Sequence, residues 1–137
     1  MEKTQDKICS RFEKLDTASL CDASPLVRAF APGLAPIHQN KKMAGRVRPV
    51  SCTNDYLTVV KALSEAVAGE VLVVDGHRQN QAVFGEMLAA EAHRLGMAGA
   101  VIDGAVTRIN VSAKAIKMGM IEGFTSQLHK LDAMLAE

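Results

Sequence analysis

Tryptophan is absent from this 137-residue chain, tyrosine occurs once and phenylalanine four times. So few rings argue against a stacking platform for single-stranded nucleic acid, which needs successive aromatic faces. An excess of charge of one sign is lacking too, since 16 Lys and Arg stand against 15 Asp and Glu, a formal +1. Bulk electrostatics therefore gives no hold on a nucleic acid or an anionic membrane. The three cysteines, Cys9, Cys21 and Cys52, form no CxxC pair and share no metal-ligand spacing with the four histidines. An odd count without a framework fits a reducing compartment. No apolar run approaches the ~20 residues a membrane helix needs. The opening MEKTQDKICSRFEKLD is charged throughout and has no apolar stretch of the kind a signal peptide carries. The expectation is a soluble, cytoplasmic protein.

What is present is aliphatic. Hydrophobic residues make up 48% of the chain, enough for the modest core of one domain spanning residues 1–137. With rings so scarce, Ala, Val, Leu and the seven Met must fill that core. No internal repeat or low-complexity segment interrupts it.

Periodicity predicts the elements. Asp6 to Leu15 places Ile8, Cys9, Phe12 and Leu15 on one helical stripe. A short helix follows over Ala18 to Asp22, with Thr17 as its N-cap. Phe30 to Gln39 is loop-like, and Met43 to Cys52 alternates as a strand that Pro49 marks as an edge or a bulge. Tyr56 to Ala68 is a helix with Leu57, Val60, Leu63 and Val67 as its apolar face. Glu70 to Asp75 and Ala98 to Asp103 are short apolar runs ending in Asp-Gly, the pattern of buried strands. Gln81 to Leu95 between them is a helix closed by Gly96. Helix, strand, helix, strand describes an α/β core with parallel strands. Ser112 to Gly119 is a further candidate helix, and Phe124, Leu128, Leu131 and Leu135 form a terminal helical stripe. No strand is evident after Asp103.

In a parallel sheet, ligands gather beyond the carboxyl ends of the strands. Those ends are Asp75-Gly76 and Asp103-Gly104. Gly85 can start a helix with a tight turn, so that the N–H groups of Glu86, Met87 and Leu88 point outward as an anion site. Glu86 adds a carboxylate that could hold a metal or its water. On local sequence alone an ordinary helix start, with a first-turn Glu favoured by the dipole, is the stronger reading. Asp75 and Asp103 fit either turn formation or catalysis, the former being commoner. His77 follows the first Asp-Gly, and a lone His there is more often a bystander than a base. His38, His93 and His129 read as surface or boundary residues, and Lys41, Lys42, Arg46 and Arg48 as solvated charges. No Ser/His/Asp set, P-loop or GxGxxG is expected from the sequence.

From about residue 11 to about residue 120 the order of these pieces resembles one family. RFEKLDTASLCDA, MAGRVRPVSCTNDYLTVVKAL, GEVLVVDG and AVFGEMLAAEAHRLGMAGAVIDGAV are each weak matches, and together they are specific. The family contains the regulator of ribonuclease E activity A and the 4-hydroxy-4-methyl-2-oxoglutarate aldolases. The resemblance implies an α/β core related to swivelling phosphohistidine domains, assembled as a trimer or a multiple of one. It implies a lyase that cleaves 2-oxo acids to release pyruvate and decarboxylates oxaloacetate. A divalent metal, Mg²⁺ or Mn²⁺, would polarise the 2-oxo group. The substrate carboxylate would sit on the N–H groups of Gly85, Glu86, Met87 and Leu88, with Glu86 near the metal.

Two departures qualify this. Where the aldolases carry Arg-Asp after Asp-Gly-x-Val, the chain reads Asp103-Gly104-Ala105-Val106-Thr107-Arg108-Ile109-Asn110. In direct register Thr107 replaces the Arg, and Arg108 replaces the metal-binding Asp. With one residue inserted, Arg108 could supply the guanidinium, but Ile109 then stands at the ligand position and Asn110 is neutral. The family also continues past a segment like Met118-Gly119-Met120 into a β-rich third, whereas this chain ends at Glu137. The expectation is therefore a truncated C-terminal β part and weak or lost lyase activity, with Arg108 and Glu86 as the catalytic pair if any survives. The alternative is a non-catalytic regulator that binds a ribonuclease E-like protein.

Overall fold

The computed structural model describes residues 2–12, 14–30, 33–37, 42–53, 55–77, 80–107 and 119–122. In chain order the elements are α1 (Glu2–Phe12), α2 (Thr17–Ala23), β1 (Ala35–Pro36), β2 (Arg46–Ser51), α3 (Leu57–Ser64) and β3 (Glu70–Asp75). After them come β4 (Ala82–Phe84), α4 (Glu86–Arg94), β5 (Gly99–Asp103), β6 (Ala105–Val106) and β7 (Gly119–Glu122).

β3 and β5 form the heart of the sheet because they can be buried on both faces. Val71, Leu72 and Val74 of β3 and Ala100, Val101 and Ile102 of β5 are all buried. The order is β1-β7-β5-β3-β2, with β2, β3, β5 and β7 parallel and β1 antiparallel to β7. β2 lies at one edge, where Pro49 is tolerated because that strand has a single partner among the described strands. β4 and β6 pair with each other in a separate small parallel sheet.

One face of β3 and β5 carries Leu72, Val74, Ala100 and Ile102, which pack with Val59 and Leu63 of α3 and Ala89 and Ala92 of α4. Val83, Phe84, Met97, Val106 and Cys52 complete this cluster. The core is aliphatic as expected, and among the described methionines two contrast. Met97 is buried, while Met87 projects into solvent.

Several expectations change. α2 is capped by Asp16, whose carboxylate accepts the Ala18 N–H at 2.9 Å, so Thr17 is the first helical residue. α3 buries Val59 and Leu63, whereas Leu57, Val60 and Val67 are exposed. Two stripes compete at helical spacing there, and the one carrying the small residues Ala62 and Ala66 fits against the sheet. Residues 82–84 are strand β4, so the following helix starts only at Glu86. β1 interrupts the loop expected over 30–39, and β6 and β7 supply strands after Asp103. The candidate helix over 112–118 and the stripe Phe124, Leu128, Leu131 and Leu135 lie outside the described residues, as do His38 and His129.

Candidate functional site at the carboxyl edge of the sheet

Strand register builds the site. Ser51 of β2 pairs with Asp75 of β3, and Asp75 pairs with Asp103 of β5, so three polar residues stand in one row at the carboxyl ends. Two turns leave that row back to back. Gly76 N–H donates to the Asp103 carbonyl at 2.8 Å, and a Cβ on Gly76 would come within 2.9 Å of that oxygen. Glycine at 76 is thus required by the close approach of the two chain segments that leave the row.

The row gathers a histidine that the sequence pattern left as a bystander. His77 Nε2 lies 3.0 Å from Ser51 Oγ, and its Nδ1 lies 3.5 Å from Asp75 Oδ1. The same Asp75 oxygen accepts the His77 backbone N–H at 3.0 Å. Among the described residues His77 is the one non-glycine residue in left-handed backbone, at φ 53°. No spacing rule could find this cluster, since it joins residues from two strands and a turn through sheet register.

α4 opens nearby in the chain. Gly85 occupies its N-cap position without any side-chain cap, and Ala89 N–H donates back to the Gly85 carbonyl at 2.9 Å. By helix geometry the N–H groups of Glu86, Met87 and Leu88 have no partner within the helix. Gly85 itself has extended backbone (φ −165°, ψ −167°), so a tight turn is not why glycine stands there. A Cβ at Gly85 would run into Thr107 Oγ1, and Thr107 N–H donates to the Phe84 carbonyl at 3.0 Å. Thr107 is therefore held directly beside the start of α4. Glu86 is exposed in the first turn. Arg108 lies outside the described residues, as do Ile109 and Asn110.

The amino ends of the same strands look different. Glu70, 6% exposed, accepts Arg48 Nε at 2.5 Å and the Val67 N–H at 3.1 Å. Burial pushes its carboxyl up, but the Arg48 and Val67 hydrogen bonds outweigh that and hold it below the usual carboxylate range. Arg48 is thus a half-buried ion-pair partner and not the solvated charge expected from the sequence.

The parallel sheet, with its polar carboxyl edge and a glycine-opened helix in the next connection, defines an α/β domain. More narrowly, the chain belongs to the RraA-like family, described as Aldolase/RraA, which matches residues 17–122. It is 30% identical over 114 residues to a provisionally named 4-hydroxy-4-methyl-2-oxoglutarate aldolase of Halalkalibacterium halodurans, covering 82% of this chain and 54% of that protein. A like-named protein of Laribacter hongkongensis is 41% identical over 61 residues, or 44% of this chain and 38% of that protein. The chain thus spans about half or less of these relatives. Among solved structures, the RNA-processing inhibitor RraA from Thermus thermophilis superposes with a TM-score of 0.70 at 32% identity, over 80% of this chain and 66% of that one.

Proposed function

We propose that the carboxyl edge retains the small-carboxylate site of a 2-oxo-acid lyase while the lyase reaction itself is weak or lost. The carrying observation is the start of α4. Three outward N–H groups, at Glu86, Met87 and Leu88, follow a glycine that Thr107 presses from the side. Such a helix start favours a carboxylate through its N–H groups and its dipole. A 2-oxo acid such as pyruvate or oxaloacetate would lay its carboxylate there, and Arg108 would add a guanidinium.

The described residues do not compose a site for Mg²⁺ or Mn²⁺. Among them no three His, Cys, Asp or Glu side chains group closely enough to hold an ion. Glu86 alone is a thin donor set for a cation that prefers several oxygens. Direct register also puts Thr107, a neutral hydroxyl, where the aldolases carry Arg. The loss of enolate stabilisation that follows is the reason to expect poor turnover. The swivelling-domain type of the core, a trimeric assembly and a cytoplasmic location belong to the same proposal.

The test is oxaloacetate decarboxylation by the purified protein with Mg²⁺ or Mn²⁺ and with chelator. The expected result is pyruvate release close to the metal-only control, with any residue of activity abolished in Glu86→Ala. Robust chelator-sensitive turnover would overturn the reading of a lost reaction, and unchanged turnover in Glu86→Ala would remove that carboxylate from the site. Arg108→Ala should weaken pyruvate binding.

A second reading has its own support. The likeness to an RNA-processing inhibitor fits a protein-binding regulator of a ribonuclease E-like enzyme, which needs no metal site. α1 and the turn after it expose Ile8, Phe12 and Leu15 at 45–46%, and Leu26 and Phe30 project further still. Exposed apolar side chains of this size suit a protein partner. Binding to the ribonuclease with no pyruvate release would favour this reading.

A further inference from the structure

We infer that Ser51, His77 and Asp75 form a second reactive site, an activated serine that accepts acyl groups from small esters. The polarity of the cluster carries the argument. Asp75 Oδ1 lies 3.5 Å from Nδ1, an ion-pair distance longer than a good hydrogen bond, and a carboxylate can only accept, so it favours the tautomer with the proton on Nδ1. In that tautomer Nε2 carries the lone pair, and the Ser51 hydroxyl 3.0 Å away is placed to donate to it. That is the arrangement a general base needs to take the serine proton as Oγ attacks.

Backbone conformation supplies the second observation. His77 sits at φ 53°, a left-handed setting that glycine adopts freely and histidine does not. Nothing in an Asp-Gly turn calls for an imidazole there. A residue held in such backbone, on the row where Ser51 and Asp75 are in register, marks a position chosen for its side chain. Ser51, Asp75 and His77 are also exposed, so a substrate can reach all three.

The reaction balances within the cluster and water. Oγ adds to the ester carbonyl, its proton passes to Nε2, the bond to the leaving oxygen breaks, and that oxygen takes the proton from Nε2. Water then adds to the acyl carbon, giving its proton to Nε2, and Oγ leaves and recovers that proton. Asp75 acts as a positioning residue, holding the tautomer and facing the imidazolium that forms. Neither Glu86 nor Arg108 takes part, so this site stands or falls apart from the lyase reading.

The experiment uses a fluorophosphonate probe, with the labelled residue found by peptide mass spectrometry, alongside p-nitrophenyl acetate hydrolysis. In labelling, Oγ–P forms, P–F breaks, fluoride leaves and the Oγ proton passes through Nε2 to solvent. The expected result is a label on Ser51, none in Ser51→Ala, and labelling at least ~100-fold slower in His77→Gln. His77→Gly is the decisive variant. It relieves the left-handed backbone, so its melting temperature should hold or rise while labelling and ester hydrolysis collapse. A wild-type protein that takes no label, a label elsewhere than Ser51, or a His77→Gly variant that labels as fast as wild type would each overturn the proposal.

Discussion

The two ends of the same parallel strands treat charge in opposite ways. At the amino end Glu70 is buried, ion-paired to Arg48 and bonded to the Val67 N–H, and the backbone closes over it. Ala98 N–H donates to the Glu70 carbonyl at 2.8 Å, Gly69 N–H to the Gly96 carbonyl at 2.9 Å, and Gly45 is pressed against the Gly69 carbonyl oxygen. At the carboxyl end Ser51, Asp75, His77 and Glu86 all remain exposed. The amino end buries its polar groups against one another, whereas the carboxyl end keeps its polar cluster open to solvent. A fold that only needed stability would have little reason for the difference.

Substitutions should separate the two ends by size and then by sign. The largest loss is expected from Glu70→Ala, which leaves Arg48 with only the 4.0 Å ion pair to the exposed Glu65 and leaves the Val67 N–H without its carboxylate partner. Removing one member of a buried pair costs about 3–5 kcal/mol, and Arg48 keeps some access to water, so roughly 3 kcal/mol is expected in urea unfolding. Gly45→Ala comes next, at roughly 2 kcal/mol, because its Cβ meets backbone that cannot swing aside. Gly85→Ala should cost less, under about 1 kcal/mol, since Thr107 can change rotamer. It should nonetheless weaken pyruvate binding, as calorimetry would show. The smallest stability effect reverses sign, with His77→Gly stabilising by about 1 kcal/mol as left-handed strain is relieved. An equal loss at both ends would break the comparison.

Acid sharpens it further. The folded-state pKa of Glu70 is depressed, so its contribution is fully present above the unfolded value of about 4.3 and is lost as pH falls through the folded value. The urea midpoint should therefore fall with pH below about 4. Glu70→Gln should start lower and lose that share of the slope.

Much of this was legible in the sequence, and the misses share a cause. The buried strands β3 and β5 announce themselves as apolar runs ending in Asp-Gly, and Pro49 signals the edge strand β2. β4 was not legible because Ala82, Val83 and Phe84 fit a helical pattern, and only pairing with residues 105–106 makes them a strand. α3 offered two stripes, and tertiary packing chose Val59 over Leu57. The helical pattern puts the start of α4 at Gln81, and the site reading puts it at Gly85. It starts at Glu86, and the close approach of Thr107, not a tight turn, is what glycine accommodates there. The partnership of Ser51 with His77 exists only through register between strands far apart in sequence.

The most direct test of the central claim, that the carboxyl edge is a carboxylate-binding site, is an amide NMR titration with pyruvate. Shifts concentrated at Gly85 to Leu88 and Asp103 to Thr107, with Gly69 to Val71 unmoved, are the predicted result. An absence of shifts at millimolar pyruvate, or shifts centred on the amino end, would contradict it.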